Sequence, residues 1–168
     1  MEITSSYTKT TTDIYGVVST TEVTNEYEVA LGDLKNMKST SVTTTTDSGG
    51  NYSQTTTETI NKYGWVNFNG GRYYVLLSST STTTSNGRNA DGSTWETTPE
   101  VITLTYQECE LNGVKYWGLP EGKKITTSYA IAGKDVYGNT YTQTITNTYE
   151  VIHGQPSMKE SVSLYHQT

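Results

Sequence analysis

The chain has 168 residues and a formal net charge of −6 at pH 7; 34 of its residues are Thr, against 14 Tyr, one Phe and one Cys. One cysteine excludes an intrachain disulfide and a multi-cysteine zinc site, and a pI near 4.9 argues against a nucleic-acid partner. Leu, Ile, Val and Phe total only 29 residues, but 17 Tyr and Trp residues and a modest charge favour a folded domain with a thin core over disorder.

Thr, Tyr, Val and Ile pack well on a pleated surface, and the usual helix formers are scarce, so the chain reads as one all-β domain over 1–168. Strands are predicted near 3–12 and 18–29, joined by the turn Asp13-Ile14-Tyr15-Gly16. Residues 30–37 are predicted to form one helical turn. Strands at 38–46 and 51–68 follow across Asp47-Ser48-Gly49-Gly50. A strand at 72–84 comes after Asn69-Gly70, and a longer turn from Ser85 to Gly92 carries Asn86-Gly87 and Asp91-Gly92. The next strand, 93–110, contains Pro99, which is expected to bend it or place it at an edge. Asn112-Gly113 then leads into 114–118, a loop at Leu119-Pro120-Glu121-Gly122, and strands at 124–132 and 139–152 around Asp135-Val136-Tyr137-Gly138. A last strand is predicted at 160–166.

Three of these turns read D-x-x-G. Asp13, Asp47 and Asp135 would cap type I turns through their carboxylates, and Gly16, Gly50 and Gly138 would take the left-handed conformation that returns the chain. Asn69-Gly70 and Asn112-Gly113, flanked by apolar and aromatic residues, are tight hairpin signals.

An internal repeat ties the two ends of the chain together. Residues 3–29 align without a gap on 125–151, and 13 of the 27 positions are identical. One kind of hairpin is therefore used more than once. In 139–152, Tyr141, Gln143, Ile145, Asn147, Tyr149 and Val151 alternate with Thr140, Thr142, Thr144, Thr146 and Thr148. That pattern predicts one packed and one wet face, the packed one only partly dry. Together these features predict an up-and-down meander of long antiparallel hairpins forming a sandwich or barrel.

No constellation of catalytic residues stands out. Glu108 and Glu110 flank Cys109 on one strand face and read as a solvated row, with the thiol turned inward as a buried, inert group. His153 and His166 lie thirteen apart with no ligand set beside them. Each Asp tip offers one carboxylate, too few oxygens for calcium. No nucleophile elbow or phosphate-binding glycine loop is present, so neither an enzyme activity nor a cofactor or metal is expected.

Tyr63, Trp65, Phe68, Tyr73, Tyr74, Tyr106, Tyr116 and Trp117 gather around the two Asn-Gly hairpins. They are expected to be core. The competing readings are a subunit interface, carried by Tyr63, Trp65, Tyr73, Tyr74, Tyr116 and Trp117, or a sugar-stacking platform. The Thr rows read as a soluble sheet face. An ice-binding surface would need a regular short repeat, and here the spacing drifts. In composition the Ser/Thr-rich strands look like the stem region of aerolysin-like toxins, which would imply a pore-forming hairpin. Gln143 and Asn147 interrupt the apolar row that a membrane-facing strand needs.

The function expected from the sequence is a non-enzymatic structural subunit of a large assembly. Coat, tail and fibre proteins of viruses and subunits of extracellular filaments share this makeup. The expected partners are further copies or other structural subunits, and no signal peptide or membrane span is expected. The rival from another class is a secreted carbohydrate-binding module, and a pore-former is the third.

Overall fold

The computed structural model describes residues 1–167, and among them every regular element is a strand. In chain order these are β1 (Glu2–Thr12), β2 (Val18–Ala30), β3 (Asp33–Thr46), β4 (Tyr52–Phe68), β5 (Gly71–Arg88) and β6 (Thr94–Thr97). They continue as β7 (Glu100–Thr105), β8 (Gln107–Leu111), β9 (Val114–Gly118), β10 (Lys124–Lys134), β11 (Thr140–Ile152) and β12 (Gln155–Gln167). A ten-stranded sheet runs β1-β2-β3-β4-β5-β6-β10-β11-β12, with β7 also paired to β5, and β8-β9 form a separate two-stranded sheet. All pairings are antiparallel. The meander is thus the observed topology, and β1 and β12 stand at opposite ends of it rather than closing a barrel.

Three differences from the sequence reading stand out. Residues 30–37 are not a helical turn: Leu31 (φ 54°) and Gly32 (φ 80°) make a two-residue hairpin turn, and Asp33 already begins β3. A Leu at positive φ is an uncommon turn residue, which hides the turn from inspection. The 93–110 strand is split into β6, β7 and β8. Pro99 separates the first two, since it cannot donate to a ladder. The long turn tightens as well. Asn86 and Gly87 remain in β5, and the reversal is Asn89-Ala90-Asp91-Gly92.

The sheet's two ends are built from different turns. One end carries the four-residue turns, in which Gly16, Gly50, Gly92 and Gly138 have φ between 82° and 93°. Asp13 accepts from the amides of Tyr15 and Val17, Asp47 from those of Gly49 and Asn51, and Asp135 from those of Tyr137 and Asn139. The opposite end carries Leu31-Gly32, Asn69-Gly70 and His153-Gly154, each with both residues at positive φ. Asn112-Gly113 makes the same turn between β8 and β9. This is the type I′ geometry whose twist matches the flanking strands.

At Gly138 a side chain would meet nothing nearer than Lys134 Cε at 3.9 Å, so only the φ of 88° opposes one. Gly138→Val is expected to cost about 1–3 kcal/mol through backbone strain alone. Gly16→Val should cost a similar amount, and urea unfolding of the two variants would measure both.

The repeat extends further than the sequence indicates. β1-β2 and β10-β11 pair in the same register, Ile3 with Tyr27 and Ile125 with Tyr149. The third strands follow suit. The β2-β3 ladder shifts register between Glu26 and Tyr27, and the β11-β12 ladder shifts at the equivalent Thr148 and Tyr149. Leu31-Gly32 and His153-Gly154 are likewise equivalent turns. Two copies of a three-stranded unit, 2–46 and 124–167, therefore sit at the two ends of one sheet.

Little of this sheet is covered. The buried apolar residues are Cys109, Leu119 and Val151. They lie where β8-β9 and the 119–123 loop meet the main sheet, with Val151 and Lys123 joined by an amide-to-carbonyl bond of 2.9 Å. Elsewhere hydroxyl ladders replace hydrocarbon: Thr55–Ser85, Thr57–Thr83 and Thr59–Ser81 link β4 to β5, and Ser19–Thr45 and Thr21–Thr43 link β2 to β3. Each such cross-strand pair contributes roughly 0.2–1 kcal/mol.

Candidate functional site

Three features of the sheet are candidates for function: an aromatic end, a polar cluster at the β6-β7 break, and a glycine-aromatic row. The aromatic end forms where β4-β5 and β8-β9 turn. Tyr74 stacks on Tyr63 at 6.1 Å and tilts against Trp65 at 5.4 Å, while Phe68 meets Tyr73 and Trp117 edge-on at 6.3 and 6.2 Å. The Arg72 guanidinium lies 4.7 Å from the Trp65 ring centre, a cation–π geometry. Trp117 donates its indole N–H to the Leu76 carbonyl at 2.9 Å, which anchors the small hairpin to β5. Burial pushes the Tyr63 phenol above its usual pKa, with Tyr106 and Tyr74 adding to the effect.

Five of the expected interface residues gather at this end, on its two faces and not as a core, while Tyr116 turns away toward the Leu119 carbonyl. Trp65 is 47% and Tyr73 49% exposed, and Tyr63, Tyr74, Tyr116 and Trp117 are only half-buried. They differ from the core reading because the β8-β9 hairpin, anchored through Trp117, leaves Trp65 and Tyr73 uncovered. The register puts Trp65, Tyr74 and Arg72 on one face of the β4-β5 hairpin and Phe68 and Tyr73 on the other, so each face carries an exposed aromatic ring.

The groups weighed for chemistry lie apart. Glu108 faces Lys115 across β8-β9 at 3.7 Å in solvent. Cys109 is buried, its thiol 3.5 Å from the Gln107 and Gly118 carbonyls. Glu110 is exposed opposite Lys115. His153 occupies a turn at φ 51°, its amide donating to Glu121, and His166 is exposed on β12. Among the described residues no group of three or more His, Cys, Asp or Glu is arranged to hold a metal. Among the described residues no helix is long and apolar enough to cross a membrane.

The Asp tips act on their own turns. The Asn51 side chain first of all, then backbone amides, hold the Asp47 carboxyl below its usual range; Asn139 does the same for Asp135 and Ser93 for Asp91. These are depressed carboxylates, so their contribution is present above the ordinary value of 3.8 and fades as pH falls through the lowered ones.

Sequence reasoning missed the polar cluster. Glu100 begins β7 just after Pro99, and its carboxylate accepts from Thr127 Oγ1 at 2.9 Å and Asn147 Nδ2 at 2.8 Å. Thr127 is 6% and Asn147 4% exposed, so the carboxylate satisfies two buried donors. Tyr129 and Tyr149 flank it, their phenols pushed up by burial first and by the Glu100 charge second. The Asn in the packed row of 139–152 was the available signal.

The glycine-aromatic row was also missed. Gly87, Trp95, Gly133 and Tyr141 lie opposite one another on β5, β6, β10 and β11. The Trp95 ring covers Gly87 and the Tyr141 ring covers Gly133, and Tyr165 stacks on Tyr141 at 5.7 Å. The row lines a groove of about 580 Å³. The sequence reading puts Gly87 in the Ser85 to Gly92 turn and Gly133 past the strand at 124–132, and only the longer β5 and β10 put both glycines inside strands.

Comparison with known protein families, curated proteins and solved structures returns no match.

Proposed function

We propose that this chain is a non-enzymatic structural subunit that self-associates into a larger assembly, of the kind that forms a virion coat, tail or fibre or an extracellular filament. The observation that carries this reading is surface out of proportion to mass. The chain exposes 10639 Å² at 18.5 kDa. A compact monomer of that mass exposes about 8,200 Å² by the usual scaling. The excess is strand surface left uncovered, together with the long edges of the sheet. Sheets of this kind are stabilised by neighbours that cover the face or extend the edge.

The aromatic end fits a contact in such an assembly. Tyr, Trp and Arg are enriched at interface centres, and this end exposes Trp65 beside Arg72 on one face and Tyr73 on the other. Light scattering at micromolar concentration tests the reading, with a Trp65→Ser, Tyr73→Ser variant beside the parent. The parent is expected to scatter as an oligomer or larger, and the variant to lose a large part of that mass without losing its circular dichroism. A folded, strictly monomeric parent that is retained on a polysaccharide column would replace the assembly reading with the carbohydrate-binding one.

A further inference from the structure

The two copies of the three-stranded unit differ in what covers their outer edges. In the second copy, β10 receives β6 as an antiparallel neighbour, Ile131 to Lys134 against Thr97 to Thr94. Ala130 continues the contact: its carbonyl accepts from the Thr98 amide at 2.8 Å, and its own amide donates to Thr98 Oγ1 at 2.9 Å. In the first copy, β1 is equivalent to β10 yet ends the sheet. The equivalents of Ala130, Ala132 and Lys134 are Thr8, Thr10 and Thr12. The Val29 amide donates to the Met1 carbonyl, so odd-numbered residues of this strand bond inward to β2 and even-numbered ones present N–H and C=O outward.

The two edges of the sheet are not alike. β12 carries Pro156, a bulge at Lys159, and charges at Lys159 and Glu160, the devices by which edges resist pairing. β1 is eleven residues long, regular and free of proline, and its only charges are Glu2 at its first position and Lys9. Its Tyr7 is 57% exposed, whereas the equivalent Tyr129 is half-buried.

From these features we propose that β1 is a docking edge for β1 of a second copy, joining two sheets into one across a two-fold axis centred on Tyr7. The proposal rests on the self-association reading and specifies its contact. Neighbours along the nine-strand path alternate in direction, so β1 and β12 run the same way. Copies added in one sense would meet β12 to β1 in parallel, while the antiparallel pairing that β10 receives requires β1 against β1. In the register centred on Tyr7 all eleven residues pair. Thr4 faces Thr10, Ser6 faces Thr8, Ser5 faces Lys9, Ile3 faces Thr11 and Glu2 faces Thr12, so no like charges are opposed. Tyr7 meets its own copy at a non-hydrogen-bonded position, where Cα atoms come within about 4.5 Å.

That spacing suits a disulfide. Tyr7→Cys is expected to convert mostly to a covalent dimer under mild oxidation. Ile3→Cys, on the same exposed strand but facing Thr11, should not, and the parent with its buried Cys109 serves as the thiol control. Thr8→Pro removes one outward N–H and leaves the β2 ladder intact. It should keep the parent's circular dichroism and lose the edge dimer in sedimentation. Equal cross-linking at positions 3 and 7, or a folded Thr8→Pro variant that associates like the parent, would overturn the proposal while leaving the assembly reading in place. A parent that is monomeric at every concentration would remove both.

Discussion

Gly133→Val is expected to destabilise the fold by about 1–3 kcal/mol, the range for forcing atoms into a closed packing site. Gly133 is not at positive φ, so its backbone accepts a side chain; the obstacle is the Tyr141 ring, which occupies the place of the new Cβ. The ring would have to leave the glycine and with it the stack on Tyr165. Aromatic cover over a strand glycine is a known means of recovering contact that glycine forfeits. A double-mutant cycle isolates the cause. In a Tyr141→Ala background the same Gly133→Val change should cost much less, because β-branched residues are otherwise favoured in strands. Equal costs in the two backgrounds, measured by urea unfolding, would show that the ring is not what Gly133 accommodates.

Glu100→Ala is expected to cost about 3 kcal/mol, because it removes the carboxylate that accepts from the buried Thr127 and Asn147 side chains. Glu100→Gln should fall between Ala and the parent: its amide oxygen can still accept, but its NH₂ faces other donors. Replacing the trio together by apolar residues of similar size (Glu100→Leu, Thr127→Val, Asn147→Leu) should recover much of the loss, since no orphaned donor remains. Thermal unfolding of the three variants is the measurement, and an undiminished Tm in Glu100→Ala would show that the carboxylate is dispensable there.

The strands and their turns were legible because their signals are local. Asp at the first and Gly at the fourth position of 13–16, 47–50 and 135–138 follow from backbone geometry, as do the Asn-Gly hairpins at 69–70 and 112–113. Alternation in 139–152 fixed which side chains face inward, and Asn147 and Val151 are the buried members of that row. Partner choice was not legible. That β10 leaves β9 and pairs with β6 depends on the break at Pro99 and on Glu100 reaching Thr127 and Asn147, contacts 27 and 47 residues apart in sequence. The third strand of the repeat was hidden for another reason: β3 and β12 share a turn geometry and a bulge but few residues. The aromatic residues read as core because a folded chain ordinarily needs one, and here the buried apolar residues are Cys109, Leu119 and Val151 instead.

A sheet built mainly of hydroxyl and aromatic rows satisfies its backbone while hiding little hydrocarbon, and this sets how the molecule answers temperature. Unfolding exposes mostly peptide and hydroxyl groups, whose hydration lowers the heat capacity, and little of the apolar surface that raises it. The heat-capacity change per residue therefore falls below the usual 12–15 cal/mol/K or so, and the stability curve is flattened. Such a chain has no sharp optimum: it holds about the same shape in the cold as in the warm, and its resistance to heat comes from the length of its ladders rather than the depth of an interior.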